Sequence, residues 1–354
     1  MTAPAADHVD IEALSARLWD AVRDGDEYAA VEVVLSAVDA GVDPESALLD
    51  VVAPVQGRVG AEWAADRISV AEEHTATAIN DHVIAALAHH GPARRAAHRG
   101  RITVACVDGE WHALPARLLA ETLRLRGWRV DFLGAQVPVP HLIDHLHRTG
   151  PDALALSSSL APRLPAAHIA ITASQAAGVP VMAGGAAFGP GGRYADRLGA
   201  DAWAPDARTA AVRLEEILAR PYVPPPAHEP LDDLPHLADQ EYTLVTRTAP
   251  RLVAVVLAAL EERFPAMAAY DDRQRRHTAE DLAHITEYLG TALYLDDAGL
   301  FTRFITWTCE ILTARGVPAH SLAPALDLLA EQLTDLPRAV GLLREGRAVV
   351  PPPR

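Results

Sequence analysis

Apolar side chains recur every three to four residues in four segments near the start of the chain, at residues 11–22, 28–40, 44–65 and 69–90. This spacing is typical of amphipathic helices. Breaks at Gly25, at residues 41–43 and at Asp66 separate the segments. Four helices joined by short turns predict an antiparallel four-helix bundle over residues 8–90.

After a short basic linker at residues 91–100, the pattern changes. Apolar runs at 102–107, 128–133, 153–157, 179–183 and 201–204 alternate with helical segments up to Leu218. Short apolar runs bounded by turns are typical of buried strands in a parallel sheet. Five strands in this alternation predict a doubly wound, Rossmann- or flavodoxin-like α/β domain over residues 101–219.

Six prolines between residues 221 and 235 prevent regular helix packing and predict a semi-rigid spacer over residues 220–240. Helical spacing then returns up to residue 346, in segments at 243–264, 278–292, 300–316, 318–334 and 337–345. The fold class is therefore α/β plus all-α, with a helical third domain over residues 241–346.

Composition narrows the class of protein. The chain has 354 residues and a formal net charge of −16, which disfavours broad binding to nucleic acid. We find no apolar run of membrane-spanning length and no signal peptide, and two cysteines far apart fit a reducing compartment. We therefore expect a cytoplasmic protein that contacts neither membrane nor nucleic acid directly.

The turn after the first strand carries Glu110, Trp111 and His112. Open α/β sheets bind ligands at this edge, and a nucleotide phosphate would require a glycine-rich turn here. This turn instead presents an imidazole, and Glu110 is placed to hold its second nitrogen. The alternative is that His112 is one of 16 histidines and merely begins a helix.

The arrangement resembles the cobalamin-binding domain, whose Asp-x-His-x-x-Gly loop supplies the lower ligand of cobalt. This chain has Glu-x-His-x-x-Pro, then Ser158-Ser159-Leu160 for the family's Ser-x-Leu, and Gly184-Gly185 for its Gly-Gly. The resemblance implies that His112 binds cobalt and that Glu110 and Trp111 belong to its loop. It implies that the cofactor tail lies along residues of the later motifs: Ser158, Leu160, Gly184 and Gly185.

The fourth predicted helix carries an unusual stripe. Ser69 and Glu72 form a capping box, so the helix should begin at Val70. Val70, Glu73 and His74 then share one face with Thr77, where a buried stripe would be apolar throughout. The alternative interpretation is a solvated face of an ordinary helix.

With Trp63, this stripe resembles the Trp-x6-Val-x2-Glu-His signature of the cobalamin photoreceptor bundle. The resemblance implies that Trp63 covers a 5′-deoxyadenosyl group, that Glu73 binds its ribose and that Val70 leaves room for it. Ala64 stands where relatives carry a second histidine ligand, so His74 is the remaining candidate for that role.

In the third domain, a helix is predicted to begin at Thr278, directly after Arg276 and His277. Asp281, His284 and Tyr288 share a stripe on it. Guanidinium groups suit propionates, and a carboxylate or imidazole suits pyrrole N–H groups, so this set fits a linear tetrapyrrole.

The whole chain resembles the photocobilins, which join a cobalamin photoreceptor module to a globin-like domain that binds biliverdin. The alternative for the third domain is a helical dimerisation or partner-binding domain with a solvated arginine cluster. Cys309 is at apolar helical spacing with Ile305, so we interpret it as a core thiol rather than a bilin attachment site.

The resemblance implies a light sensor, not an enzyme, that uses adenosylcobalamin and a bilin. Since no kinase, cyclase or DNA-recognition pattern is apparent, we expect it to act through an unknown downstream signalling protein or a change of oligomer, with a homodimer the expected state. The alternatives are a corrinoid methyl-carrier protein, a mutase subunit, for which the catalytic barrel is lacking, and a cobalamin-binding regulator without bilin.

Overall fold

The computed structural model describes residues 10–93, 96–226, 233–263, 267 and 270–352. The chain divides into two compact units, residues 1–227 and 228–354. Parts of several predicted segments lie outside the described residues: 8–9 of the bundle, 94–95 of the linker, 227–232 of the spacer and Phe264 at a predicted helix end.

The first unit begins with helices α1 (Ile11–Arg23), α2 (Glu27–Asp39), α3 (Pro44–Ser46), α4 (Ala53–Ala64) and α5 (Val70–His89). The predicted helix at 44–65 is helical throughout but widens to a π-helix at Ala47–Val52, between α3 and α4. Pro54 has no N–H and its ring crowds the carbonyl one turn earlier, which favours this widening. The predicted capping box is confirmed, since Ser69 and Glu72 bond each other's backbone N–H at the start of α5.

The bundle core is built from Leu18, Leu48, Ile84 and Leu87, each almost fully buried. It also takes in Leu114 and Leu118 of the first helix of the sheet region. The bundle therefore shares a core with the sheet region.

The sheet region contains β1 (Arg101–Cys106), α6 (Leu114–Leu125), β2 (Arg129–Gly134), α7 (Val139–Thr149), β3 (Ala153–Ser157), α8 (Leu164–Ala176), β4 (Val181–Gly184), α9 (Arg193–Arg197), β5 (Ala202–Ala204) and α10 (Ala207–Leu218). All five strands are parallel, in the order β2-β1-β3-β4-β5. The predicted five-stranded parallel α/β sheet is confirmed. The strand order reverses between β1 and β3, where open α/β sheets bind ligands.

The second unit consists of α11 (Glu241–Arg263), α12 (Asp272–Leu295), α13 (Ala298–Ala314), α14 (Leu322–Gln332) and α15 (Pro337–Val349). Glu241 is buried, and its carboxylate accepts the backbone N–H groups of Arg338 and Ala339 at 3.0 and 2.8 Å. These bonds satisfy free donors at the start of α15.

The expectation that no segment has the length and apolar character to span a membrane is wrong for α11. Helix α11 has 23 residues and is apolar enough to cross a bilayer by length and composition, although Arg247 and Arg251 interrupt its apolar run. Only 22% of its most apolar window is buried in the unit. The test depends on length and composition alone, so one such helix is weak evidence for a membrane.

The predicted start of α12 is also wrong. The helix begins at Asp272, where Asp271 and Gln274 form a capping box. Thr278 lies inside it and its hydroxyl donates to Gln274 O at 2.9 Å. Arg276 and His277 therefore lie within the helix and not before its start.

Candidate functional site

The turn between β1 and α6 is held by backbone contacts at both ends. Glu110 N donates to Val107 O at 2.9 Å, and Glu110 O accepts from Gln136 N at 2.9 Å. Gly109 has φ +77°, a conformation that favours glycine. Pro115 lies in the first turn of α6, where its missing N–H costs nothing. The local sequence therefore forces a tight turn that ends at His112.

Glu110 orients His112 through a single carboxylate oxygen. Oε1 accepts the backbone N–H of His112 at 2.9 Å and lies 2.6 Å from its Nδ1. The carboxyl group is fully buried, whereas 43% of the His112 side chain is exposed. The ring is thus fixed at its inner edge and open at its outer edge.

The second oxygen of Glu110 collects donors from the end of β3. Oε2 accepts the backbone N–H groups of Ser159 and Leu160 at 2.7 and 2.9 Å, and the hydroxyl of Ser158 at 3.2 Å. Burial alone would raise the pKa of Glu110, but the hydrogen bonds from His112, Leu160 and Ser159 outweigh it and lower the pKa to about 2. The carboxyl group is therefore charged at neutral pH.

This geometry sets the chemistry of His112. A charged carboxylate against Nδ1 favours the tautomer that carries its proton there, which leaves the Nε2 lone pair free. An imidazole with a free Nε2 lone pair can coordinate a metal ion. The exposed ring of Trp111 lies beside it, with 5.3 Å between the ring centroids. The residues present therefore fit the lower-ligand role expected for His112.

A cavity of about 420 Å³ opens beside the carboxyl ends of β3, β4 and β5. Leu49 and Ala53 of the bundle contribute to its wall, together with small residues of the sheet region: Ala155, Ala183, Gly184, Gly185, Ala204 and Ala210. Small side chains at a strand edge leave a slot, and this slot fits the cofactor tail that the sequence resemblance implies.

The two predicted glycines have different reasons to be glycine. Gly185 has φ +98°, and a Cβ there would lie 2.2 Å from Ser158 O. A Cβ on Gly184 would meet only Ala204 O at an ordinary 3.6 Å. Gly185 is therefore required by the protein's own backbone, and Gly184 keeps the cavity open. Three further glycines follow β4, but the described lining of this cavity does not include Gly189, Gly191 or Gly192, and Gly192 packs against the Trp203 ring.

Ionic contacts join the bundle to the sheet region, and one of them lies at the rim of this cavity. Arg208, which lines the cavity, forms two hydrogen bonds with Asp50 at 2.8 and 2.7 Å. Arg126 forms two with Glu45 at 2.9 and 2.8 Å. The Arg126 side-chain hydrogen bond is the main reason that the pKa of Glu45 is lowered, and Arg208 lowers that of Asp50.

The predicted upper-face residues lie at the junction of α4 and α5. Val70 is 57% exposed, Trp63 is half-buried near the end of α4, and Glu73 is half-buried. His74 Nδ1 lies 2.8 Å from Val70 O and 2.9 Å from Glu73 Oε2. Because a carbonyl only accepts, His74 Nδ1 carries the proton.

Cys106 and Cys309 are both buried and form no disulfide, and the sequence had predicted a core position for Cys309. Burial, followed by the charge of Glu110, raises the pKa of Cys106 to about 12. Burial also raises the pKa of Cys309. Neither thiol has the thiolate character of a reactive cysteine.

The predicted bilin residues are more dispersed. Arg276, His277 and His284 are exposed, and His277 lies 3.1 Å from Glu280. Asp281 lines a cavity of about 80 Å³, and its burial raises its pKa. Tyr288 stacks on Phe304 with ring centroids 3.7 Å apart. Asp281 lines this cavity, whereas the other four predicted bilin residues are not among the described residues of its lining.

Sequence reasoning missed several residues of the first unit. The sequence pattern could not have identified the pair of Arg208 and Asp50, since nothing in their spacing links them. Asn80 could have been identified, because it is a polar residue at an apolar position of α5 between Ala76 and Ile84, and all three are buried. Nothing in the sequence pattern points to its partner Gln56.

Comparison with known proteins agrees with this geometry. The family described as "B12 binding domain" matches residues 14–88, and a second family of the same description matches residues 100–215. The solved structure of the Methanosarcina barkeri monomethylamine corrinoid protein has the same fold, with a TM-score of 0.52 and 18% identity over 59% of this chain and 100% of that one.

Among curated proteins, the transcriptional repressor CarH of Myxococcus xanthus is 33% identical over 44% of this chain. The chain spans only about half (52%) of that repressor. The dimethylamine corrinoid protein 3 of Methanosarcina mazei is 29% identical over 34% of this chain and 73% of its own length.

The M. xanthus repressor CarA is 30% identical over 55% of this chain and 68% of its own. The matched residues include the bundle, the loop of His112 and the cavity edge, so the region from residue 14 to 215 binds cobalamin. The chain belongs to the B12-binding family.

Proposed function

We propose that this chain is a light sensor of the photocobilin type, in which adenosylcobalamin is the cobalamin form bound by the first unit. His112 is the lower ligand in this proposal, and Val70, Glu73 and Trp63 cover the upper face. One observation carries it: the imidazole of His112, held at Nδ1 by Glu110, and an exposed Val70 flanked by a carboxylate belong to the same compact unit.

Adenosylcobalamin supplies a cobalt–carbon bond that light cleaves. The protein's part is to hold the adenosyl group by contacts that exist only while that group is present. Val70 leaves space for it and Glu73 accepts hydrogen bonds from its hydroxyls. Loss of these contacts changes the relative stability of two bundle arrangements, since a ligand biases an equilibrium only through differential contacts.

We propose a bilin, biliverdin, as the second chromophore, bound in the second unit. Asp281 supports it, because a half-buried carboxyl group in a largely apolar cavity suits pyrrole N–H donors. The cavity of about 80 Å³ is far smaller than the several hundred Å³ of a typical ligand site, so bilin binding requires the helices around it to open.

We further propose that the protein is cytoplasmic and signals through homodimer rearrangement or a downstream protein. A corrinoid methyl carrier is the competing function, favoured by the similarity to the dimethylamine corrinoid protein.

The test is to purify the full chain, add adenosylcobalamin and biliverdin, and record absorbance spectra in the dark and after illumination. Corrinoid bleaching together with light-dependent absorbance of the bilin supports both chromophores. Bleaching without bilin uptake leaves a cobalamin sensor or regulator, and Asp281→Asn then has no effect on any spectrum. Methyl transfer without photochemistry supports the carrier and contradicts the proposal.

A further inference from the structure

A chain of four polar side chains runs through the bundle beneath the proposed adenosyl site. Asn80 Nδ2 donates to Gln56 Oε1 at 2.7 Å, and Gln56 Nε2 donates to Thr77 Oγ1 at 2.8 Å. The Thr77 hydroxyl then donates to Glu73 Oε1 at 2.8 Å. We call these four residues the polar chain.

The polar chain has one direction. A carboxylate only accepts, so Thr77 must give its proton to Glu73 and can only accept from Gln56. Gln56 therefore points its amide nitrogen at Thr77 and its oxygen at Asn80. His74 Nδ1 lies 2.9 Å from the second oxygen of Glu73, but its hydrogen is donated to Val70 O at 2.8 Å. Glu73 Oε1 is thus held by Thr77, and the other lone pairs of the carboxylate serve only groups that donate a hydrogen bond.

Core stability alone does not account for this arrangement. Asn80 is fully buried at an apolar position of α5, and among the described residues its Oδ1 has no donor. A buried unsatisfied acceptor costs about 1–3 kcal/mol, which a leucine at this position would avoid. The polar groups therefore have a role beyond packing the bundle.

We propose that Asn80, Gln56 and Thr77 are positioning residues that hold the Glu73 carboxylate in one orientation and so make the upper face selective for a cobalamin whose upper ligand carries hydroxyl groups. This inference rests on the proposed function of Glu73. It adds three residues that do not touch the ligand themselves.

The decisive variant is Thr77→Val, which keeps the shape of the side chain and removes the donor. Thr75→Val is the matched control, because Thr75 lies on the same helix and is exposed, and its hydroxyl donates to the helix backbone at Ala71 O. The ligand-free full chain is titrated in the dark with adenosylcobalamin and with methylcobalamin, and the melting temperature of each ligand-free variant is recorded.

We expect Thr77→Val to weaken adenosylcobalamin binding about tenfold, the usual effect of one hydrogen bond to a charged group. Methylcobalamin binding and the Thr75→Val control should stay unchanged. In a Glu73→Gln background, Thr77→Val should cause no further loss, because the two residues act as one unit.

Equal weakening of both cobalamins by Thr77→Val would show a purely structural role and overturn the inference. Unchanged adenosylcobalamin binding by Thr77→Val, together with lost adenosylcobalamin selectivity in Glu73→Gln, would also overturn the inference. That result would leave the proposed function standing. A Glu73→Gln variant without any loss of selectivity would instead remove the proposed upper-face site, and the inference with it.

Discussion

Glu110 and His112 are joined twice through one oxygen atom, since Glu110 Oε1 accepts the His112 backbone N–H at 2.9 Å and lies 2.6 Å from Nδ1. The same carboxylate that shapes the turn also selects the tautomer of the ring. Loop conformation and metal-ligand chemistry therefore depend on one buried charge.

Replacing His112 with alanine should remove the lower-ligand signature of the bound corrinoid. The ring is half-exposed, so the change should leave folding almost intact. The dark absorbance spectrum should lose the features of a histidine-ligated corrinoid. His145→Ala, which removes an imidazole of the same unit next to Asp131, serves as the control. A spectrum and affinity identical to the wild type would refute the assignment of His112.

Low pH should lower the free energy of unfolding of the first unit by protonating Glu110. The pKa of this group is lowered to about 2 from an ordinary 4.5, so its contribution to the free energy of unfolding is complete above pH 4.5 and is lost as the pH falls towards 2. The loss should be about 3 kcal/mol. Denaturant unfolding of wild type and Glu110→Gln between pH 5 and pH 3 measures it: the variant should be less stable at pH 5 and show a shallower decline. Parallel pH profiles would contradict the prediction.

The two adjacent glycines should respond differently to alanine. Gly185→Ala forces a Cβ to 2.2 Å from Ser158 O at φ +98°, so the free energy of unfolding should fall by about 2 kcal/mol or more. Gly184→Ala meets only ordinary contact, so stability should hold while corrinoid affinity falls because the cavity narrows. Thermal melts and cobalamin titrations separate the two effects, and equal stability of both variants would be the contrary result.

Arg126 should stabilise the contact between bundle and sheet region. Its paired hydrogen bonds to Glu45 are partly shielded from solvent, so Arg126→Gln should cost about 1 kcal/mol of unfolding free energy, with a smaller cost in high salt. Arg213→Gln is the control, because Arg213 and Glu216 are both largely exposed. Urea unfolding at low and high salt tests this, and equal effects of the two variants would count against it.

Helix α12 shows why part of the candidate site was placed wrongly from sequence. Thr278 and Asp281 have the spacing of a helix start, but Asp271 and Gln274 have the same chemistry about two turns earlier and form the actual cap. Two equivalent start signals cannot be ranked by spacing. The arginines between them were therefore assigned to a loop when they lie on a helix.

Ser158 shows a different limit. Its position at the end of β3 was predicted correctly, but its hydroxyl lies 3.2 Å from Glu110 and 3.3 Å from Leu160 O. Its expected contact with the cofactor tail remains a prediction. Sequence placed the residue at the right edge of the sheet, and packing decided which neighbour it met.

Patterns of neighbouring residues were enough to predict the five strands, most of the helices, the capping box of α5 and the Glu-x-His turn, because these features depend on residues a few positions apart. The convergence of distant groups became known from the fold: Ser158 meets Glu110 across 48 positions, Arg208 meets Asp50 across 158, and Asn80 meets Gln56 across 24. Side-chain periodicity carries no information about such pairs. They form because strand order and helix packing bring together groups that burial then obliges to pair.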